Sequence, residues 1–138
     1  MAFNTYAEAL RVYGKTHTEH EVNCKELKTA KIFATICTER VKKSTGKERE
    51  AHIEGAKQKQ EQYKDVVVNY NGTYTKCRES LVLASSNAPS SRTKQDVLDT
   101  LSSLDSSHIE YRGLCYEVSE FLTTDFSASQ DEEEPANI

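Results

Sequence analysis

IEGAKQKQEQYKDVVVNYNGTYTKCRESL, residues 53–81, admits two incompatible readings, and the choice between them sets the architecture. Val66-Val67-Val68-Asn69-Tyr70 followed by Asn71-Gly72 and Thr73-Tyr74-Thr75 has the composition of a β-hairpin: β-branched and aromatic residues on either side of a two-residue turn. Against it stands a longer pattern. Ile53, Ala56, Gln60, Tyr63, Val67, Tyr70, Tyr74, Cys77 and Leu81 alternate steps of three and four residues, as on the seam of a helix packed lengthwise against partners. That seam runs through the hairpin signal without a break. Asn71 and Gly72 fall off it, where a helical glycine costs only ~1 kcal/mol. The spacing therefore predicts a helix over about 47–84, with a local kink at Asn71-Gly72 as the residual mark of the hairpin composition.

The same period recurs on both sides. Upstream, Tyr6, Leu10, Tyr13, His17, His20, Cys24 and Leu27 form a stripe that takes one extra three-residue step. It resumes at Ala30, Ala34, Cys37 and Val41, with Phe33 and Ile36 beside it. This predicts a helix over about 4–43. Downstream, Val97, Leu101, Leu104, His108, Tyr111, Cys115, Val118 and Leu122 repeat the pattern, and Leu98, Leu114 and Phe121 widen it, giving a helix over about 93–123. Ser44-Thr45-Gly46 is a tight break with Glu48 and Glu50 opening the next helix. Residues 85–91, SSNAPSS, form a polar loop before a Thr93/Asp96 capping box. With few breakers, Gly 5 and Pro 2 in 138 residues, the fold class is all-α: an elongated antiparallel three-helix bundle, or coiled coil, over 1–124. The tail, 125–138, carries Asp131-Glu132-Glu133-Glu134, is too acidic and apolar-poor to pack, and is expected to be disordered.

Folding back two hairpins fixes a register. Numbers summing to about 89 face each other across the first turn and to about 177 across the second. His20 then comes level with residue 69 and with His108, and His17, His20, Tyr70 and His108 share a polar layer in the core. With Cys24 one turn on, the residue types are ones zinc accepts, so His17, His20, Cys24 and His108 are the candidates for a structural metal. The blander alternative is a set of buried imidazoles hydrogen-bonded to one another, to Tyr70 or to water, sensitive to acid because they sit neutral in the core.

Composition narrows the function classes. Hydrophobic residues make up 36% and charged residues 29%, and mean hydropathy is −0.71, a balance suited to a thin bundle with much surface per residue. No window approaches the ~20 apolar residues of a membrane span, and MAFNTYAEAL lacks the basic-then-apolar layout of a signal peptide. A cytoplasmic protein, at most peripheral on a membrane, is the expectation. Cys24, Cys37, Cys77 and Cys115 lie far apart without a CxxC pair and are expected to be free thiols, and the Asn71-Gly72-Thr73 sequon to stay unglycosylated. No glycine-rich phosphate loop, GxSxG elbow or Glu-x-x-His motif is present, so no enzyme and no cofactor are expected.

Charge is segregated. Residues 1–59 hold 12 Lys/Arg and 8 Asp/Glu, net +4, and residues 60–138 hold 6 and 14, net −8. Arg40, Lys42, Lys43, Lys47 and Arg49 cluster at the tip of the first hairpin, the candidate site for an anion or lipid headgroup. Glu39, Glu48 and Glu50 interleave with them, as in an ordinary solvated face. Nucleic acid is the least favoured ligand, since a pI of about 5.6 gives little long-range attraction. The acidic tail could cover the basic tip, and Ser129, three residues before Glu132, is placed for an acid-directed kinase.

Tyr6-Ala7-Glu8-Ala9-Leu10 and Tyr74-Thr75-Lys76-Cys77-Arg78-Glu79, set among long heptad helices with a basic tip, resemble pieces of the membrane-curving helical domains of the BAR and F-BAR superfamily. The resemblance covers about a tenth of the chain; it implies dimerisation and binding to anionic membrane. Read from the residues themselves, the function is a non-catalytic helical adaptor or assembly subunit, a scaffold that oligomerises or pairs with a helical protein partner. Tyr63, Tyr70, Tyr74, Tyr111, Tyr116 and Phe121 are the aromatic anchors expected at that interface. The membrane-binding module is the alternative.

Overall fold

The computed structural model describes residues 2–122 and contains three α-helices: α1 (Ala2–Lys43), α2 (Gly46–Ser86) and α3 (Ser91–Leu122). Among the described residues no helix is long and apolar enough to cross a membrane. The region 66–75 is helical throughout, so the heptad period prevails over the hairpin composition. The reason is burial. As a helix this stretch places Tyr63, Tyr70, Cys77 and Leu81 on one buried line, whereas an isolated two-stranded hairpin would leave half of them in water. The 125–138 tail lies outside the described residues, as does the predicted end of α3 at residue 123.

α1 and α2, 42 and 41 residues, run back to back for ~60 Å, and α3, 32 residues, lies along them for ~48 Å. The α1/α2 packing is the most extensive and the α1/α3 packing the sparsest. Small side chains make the close approach possible. Ala9, Ala30, Ala34, Ala56 and Ala84 are buried, and they interleave with large ones, Leu27, Tyr63, Tyr70, Leu81 and Phe121. Two core clusters result. One runs from Val41 to Tyr70 and includes Cys115 and Val118, and the other groups Ala9, Cys77, Leu81, Val97 and Leu104.

Both turns differ in detail from their sequence signals. At the first, Thr45 is the N-cap of α2 but makes no side-chain cap bond, and Gly46 takes φ +59, a left-handed conformation that disfavours a side chain. The last carbonyls of α1 are satisfied from the turn and from α2 instead. Arg49 Nη1 donates to the Val41 carbonyl at 3.1 Å, and Ser44 Oγ donates to the Arg40 carbonyl. At the second turn the reciprocal box is Ser90/Thr93, not Thr93/Asp96. The Thr93 amide donates to Ser90 Oγ at 3.1 Å and the Ser90 amide to Thr93 Oγ1 at 3.2 Å.

α3 stops short of the first turn. Gln60 Nε2 donates to the Phe121 carbonyl at 3.0 Å, so among the described residues the outer end of the α1/α2 hairpin projects beyond the third helix.

Candidate functional site

Of the polar layer predicted from the register, His20, Tyr70 and His108 come together while His17 turns to Tyr13 and Glu21, and the network is built one bond at a time. Thr73 is central. Its hydroxyl lies within reach of the Asn69 and Tyr70 carbonyls, at 3.2 Å each, to which it donates, and accepts from Asn23 Nδ2 at 3.1 Å. His20 Nδ1 is 2.8 Å from the same oxygen. Because the Thr73 proton is committed to the backbone, His20 must donate through Nδ1. Its Nε2 is then the acceptor, 3.7 Å from the Cys24 thiol, which donates. On the other side of the layer the Tyr70 hydroxyl is 2.8 Å from His108 Nδ1. Tyr70 is fully buried, burial raises its pKa well above the ordinary phenol value, and it therefore donates to a neutral imidazole. The His108 ring stacks on Tyr74 with centroids 3.7 Å apart, and Tyr74 donates its hydroxyl to Asp105, which also takes Arg78.

Burial lowers the pKa of both His20 and His108, with His17 and His108 adding repulsion at His20 and Arg112 at His108. The layer is thus an uncharged, hydrogen-bonded network at neutral pH. As a metal centre the four candidates do not converge. His17 faces Glu21 at 3.4 Å, His20 is taken by Thr73 and Cys24, and His108 by Tyr70. Among the described residues no group of three potential ligands forms. Cys24, Cys37, Cys77 and Cys115 are free, and burial pushes the Cys77 and Cys115 thiols up to about 11, leaving them unreactive at neutral pH.

The six aromatic anchors divide. Tyr63, Tyr70 and Phe121 are buried inside the chain itself, so the expectation that they face a partner is corrected: these seam positions form the monomer's own core. Tyr74 and Tyr111 are half-buried at the α2/α3 and α1/α3 seams, and Tyr116 is exposed. A heptad stripe identifies a packed face, but not whether the same chain or another covers it. Arg49 is likewise corrected. It is 3% exposed and caps α1, so the tip retains Arg40, Lys42, Lys43 and Lys47 as its exposed cations.

Two surface features escaped the sequence reading. The first is a groove between α1 and α2 on the side away from α3. Its walls are Val22, Phe33 and Val66, and it continues past Asn23 to Val68, Gly72 and Lys76. Val22, Phe33 and Val68 are 51%, 44% and 61% exposed, and Ile36 extends the same line on α1. Lys59 lies over the Phe33 ring at 5.5 Å. The second is a cleft between α1 and α3 of about 420 Å³, which opens onto the polar layer. Spacing could have revealed the groove. Val22, Glu26, Thr29, Phe33, Ile36 and Arg40 share one α1 face, but that face is mixed, and two of its apolar members, Phe33 and Ile36, also flank the main stripe.

Comparison with protein-family models finds no family that matches the chain, and no curated protein or solved structure matches it either.

Proposed function

We propose that the chain is a non-catalytic helical assembly subunit whose α1/α2 groove pairs with the same groove of a second copy. The observation that carries this reading is the line of exposed apolar side chains, Val22, Phe33, Ile36 and Val68, along a groove whose floor reaches buried Ala30 and Tyr63. Two long helices lying side by side offer ridges on which another helical pair can seat, the geometry of a larger bundle. Charge favours self-pairing over a strongly charged partner. Glu19 and Glu26 stand among Lys25, Lys59 and Lys76 along the groove, so it carries both signs and suits a copy of itself better than a partner of one strong charge.

Light scattering over a concentration series tests the reading. A dimer is expected, and Val22→Glu with Phe33→Glu should return it to 15.6 kDa while helicity is retained. A wild-type chain that stays at 15.6 kDa at every concentration refutes it.

A second reading rests on a separate observation. Arg40, Lys42, Lys43 and Lys47 are exposed at the end of the two-helix projection, with Ile32 and Ile36 exposed on α1 alongside the end of α3, a combination suited to an anionic membrane surface and to what the BAR-like segments imply. Reversing Lys42, Lys43 and Lys47 to Glu should abolish sedimentation with phosphatidylserine vesicles if the tip meets lipid, and leave dimerisation untouched.

A further inference from the structure

The α1/α3 cleft exists because of residue size. Along α3 the positions that line the cleft are Thr100, Ser103, Leu104, Ser107, His108 and Tyr111, and the exposed pair at its edge, Ser103 and Ser107, is too short to bridge to α1. The opposing face of α1 cannot close the gap, because His17, Glu21, Lys25 and Lys28 are polar and extend toward water. What remains is a cleft of about 420 Å³, within the ~300–1,000 Å³ typical of small-molecule sites.

Its chemistry is specific. The inner wall is aromatic: Tyr70 and His20, rings 5.0 Å apart, with Tyr111 5.7 Å from Tyr70 and Tyr13 5.3 Å from His17. These rings are held in place by the Thr73 and Tyr70 hydrogen bonds, so the wall is preorganised. Among the described residues the Ser103 and Ser107 hydroxyls make no hydrogen bond to another group, and both, being exposed, stand at the cleft's rim. The mouth carries Lys25 and Lys28, with Lys28 Nζ 5.3 Å over the Tyr111 ring; Glu21 is the carboxylate in the lining, and Glu110 is close enough to Lys28 to act on its charge.

We propose that this cleft binds a small flat aromatic anion, its ring laid against the part-exposed Tyr13, Tyr111 and His108, its acid group between Lys28 and Lys25 and its edge within reach of Ser103 and Ser107. The site lies on a different face of α1 from the α1/α2 groove, with Lys25 bordering both; Lys28, Ser103 and Ser107 belong to the cleft and not to that groove, so variants at these positions test it separately from the assembly reading.

Naphthoate is the probe, titrated into the full chain and followed by amide NMR, with naphthylmethanol as the neutral counterpart. Saturable shifts are expected at 24–28 and 100–111, with naphthylmethanol bound at least about tenfold more weakly. Lys28→Glu, at an exposed position that leaves the fold intact, should weaken naphthoate by about tenfold or more. Ser103→Leu with Ser107→Leu should fill the cleft and abolish the shifts, while the circular dichroism stays that of the wild type. Absence of saturable shifts, shifts confined to the Val22/Phe33 groove, equal affinity for the neutral alcohol, or unchanged binding in the filled variant would each overturn the proposal.

Discussion

Two tyrosines seven residues apart on the same buried line of α2 allow one chemical change, removal of a phenolic oxygen, to be made in two opposite environments. Tyr70 is completely buried and its hydroxyl donates to His108 Nδ1 at 2.8 Å. Tyr63 is 5% exposed and packs on Phe121 at 5.8 Å, but among the described residues its hydroxyl has no hydrogen-bond partner. Desolvation pushes its pKa up to about 12. Tyr70→Phe removes a net contribution of about 1 kcal/mol and leaves the half-buried His108 nitrogen without its donor, for a loss of about 1–2 kcal/mol. Tyr63→Phe removes a polar atom that lost its water on folding and gained nothing, so the change is expected to stabilise by up to about 1–2 kcal/mol. With a slope of about 1–3 kcal/mol per molar urea, the two midpoints should move in opposite directions by roughly 0.5–1 M. Urea unfolding followed by far-ultraviolet circular dichroism reads both. If Tyr63→Phe destabilises as much as Tyr70→Phe, the Tyr63 hydroxyl has a partner and the reasoning from its isolation fails.

Acid should loosen the polar layer. Burial holds the His20 and His108 pKa values below the ordinary imidazole value of about 6.5, so the unfolded chain binds protons that the folded chain refuses. Stability is therefore expected to be flat above about pH 6.5 and to fall as pH drops below it, with His20→Gln flattening that slope; a urea midpoint that is constant down to pH about 5 would contradict the assigned neutral tautomers. Gly72→Ala tests the helical state of the hairpin-like segment. The position is exposed, mid-helix, with nothing within 4 Å of an added Cβ, so a gain of about 0.5–1 kcal/mol is expected. Loss of stability would restore the turn reading, because a type I′ turn needs the glycine's positive φ.

Helix existence and extent were legible in the chain because a three-four alternation is a local property, set by 3.6 residues per turn whatever the surroundings. The register of the two hairpins was legible for the same reason. Tight turns and uniform rise per residue leave little freedom in which layer meets which, and so His20, Tyr70 and His108 do share a layer. The turns were read less well. Ser90, not Thr93, caps α3, since several Ser and Thr in a row satisfy the same signal and the backbone path selects among them.

What the sequence by itself determined is which side chains lie on a common face: the seam Tyr63, Tyr70, Cys77, Leu81 and its counterparts on α1 and α3. What only the tertiary structure decided is what each face meets. It enclosed Tyr63, Tyr70 and Phe121 within the monomer, turned Arg49 inward to close α1, and left Val22, Phe33 and Val68 open on the far side. The physical reason is that periodicity is written along one helix, whereas burial depends on the placement of all three. A third helix can cover only one side of a two-helix pair, and the choice of side follows from the summed packing of many weak contacts that no single segment encodes.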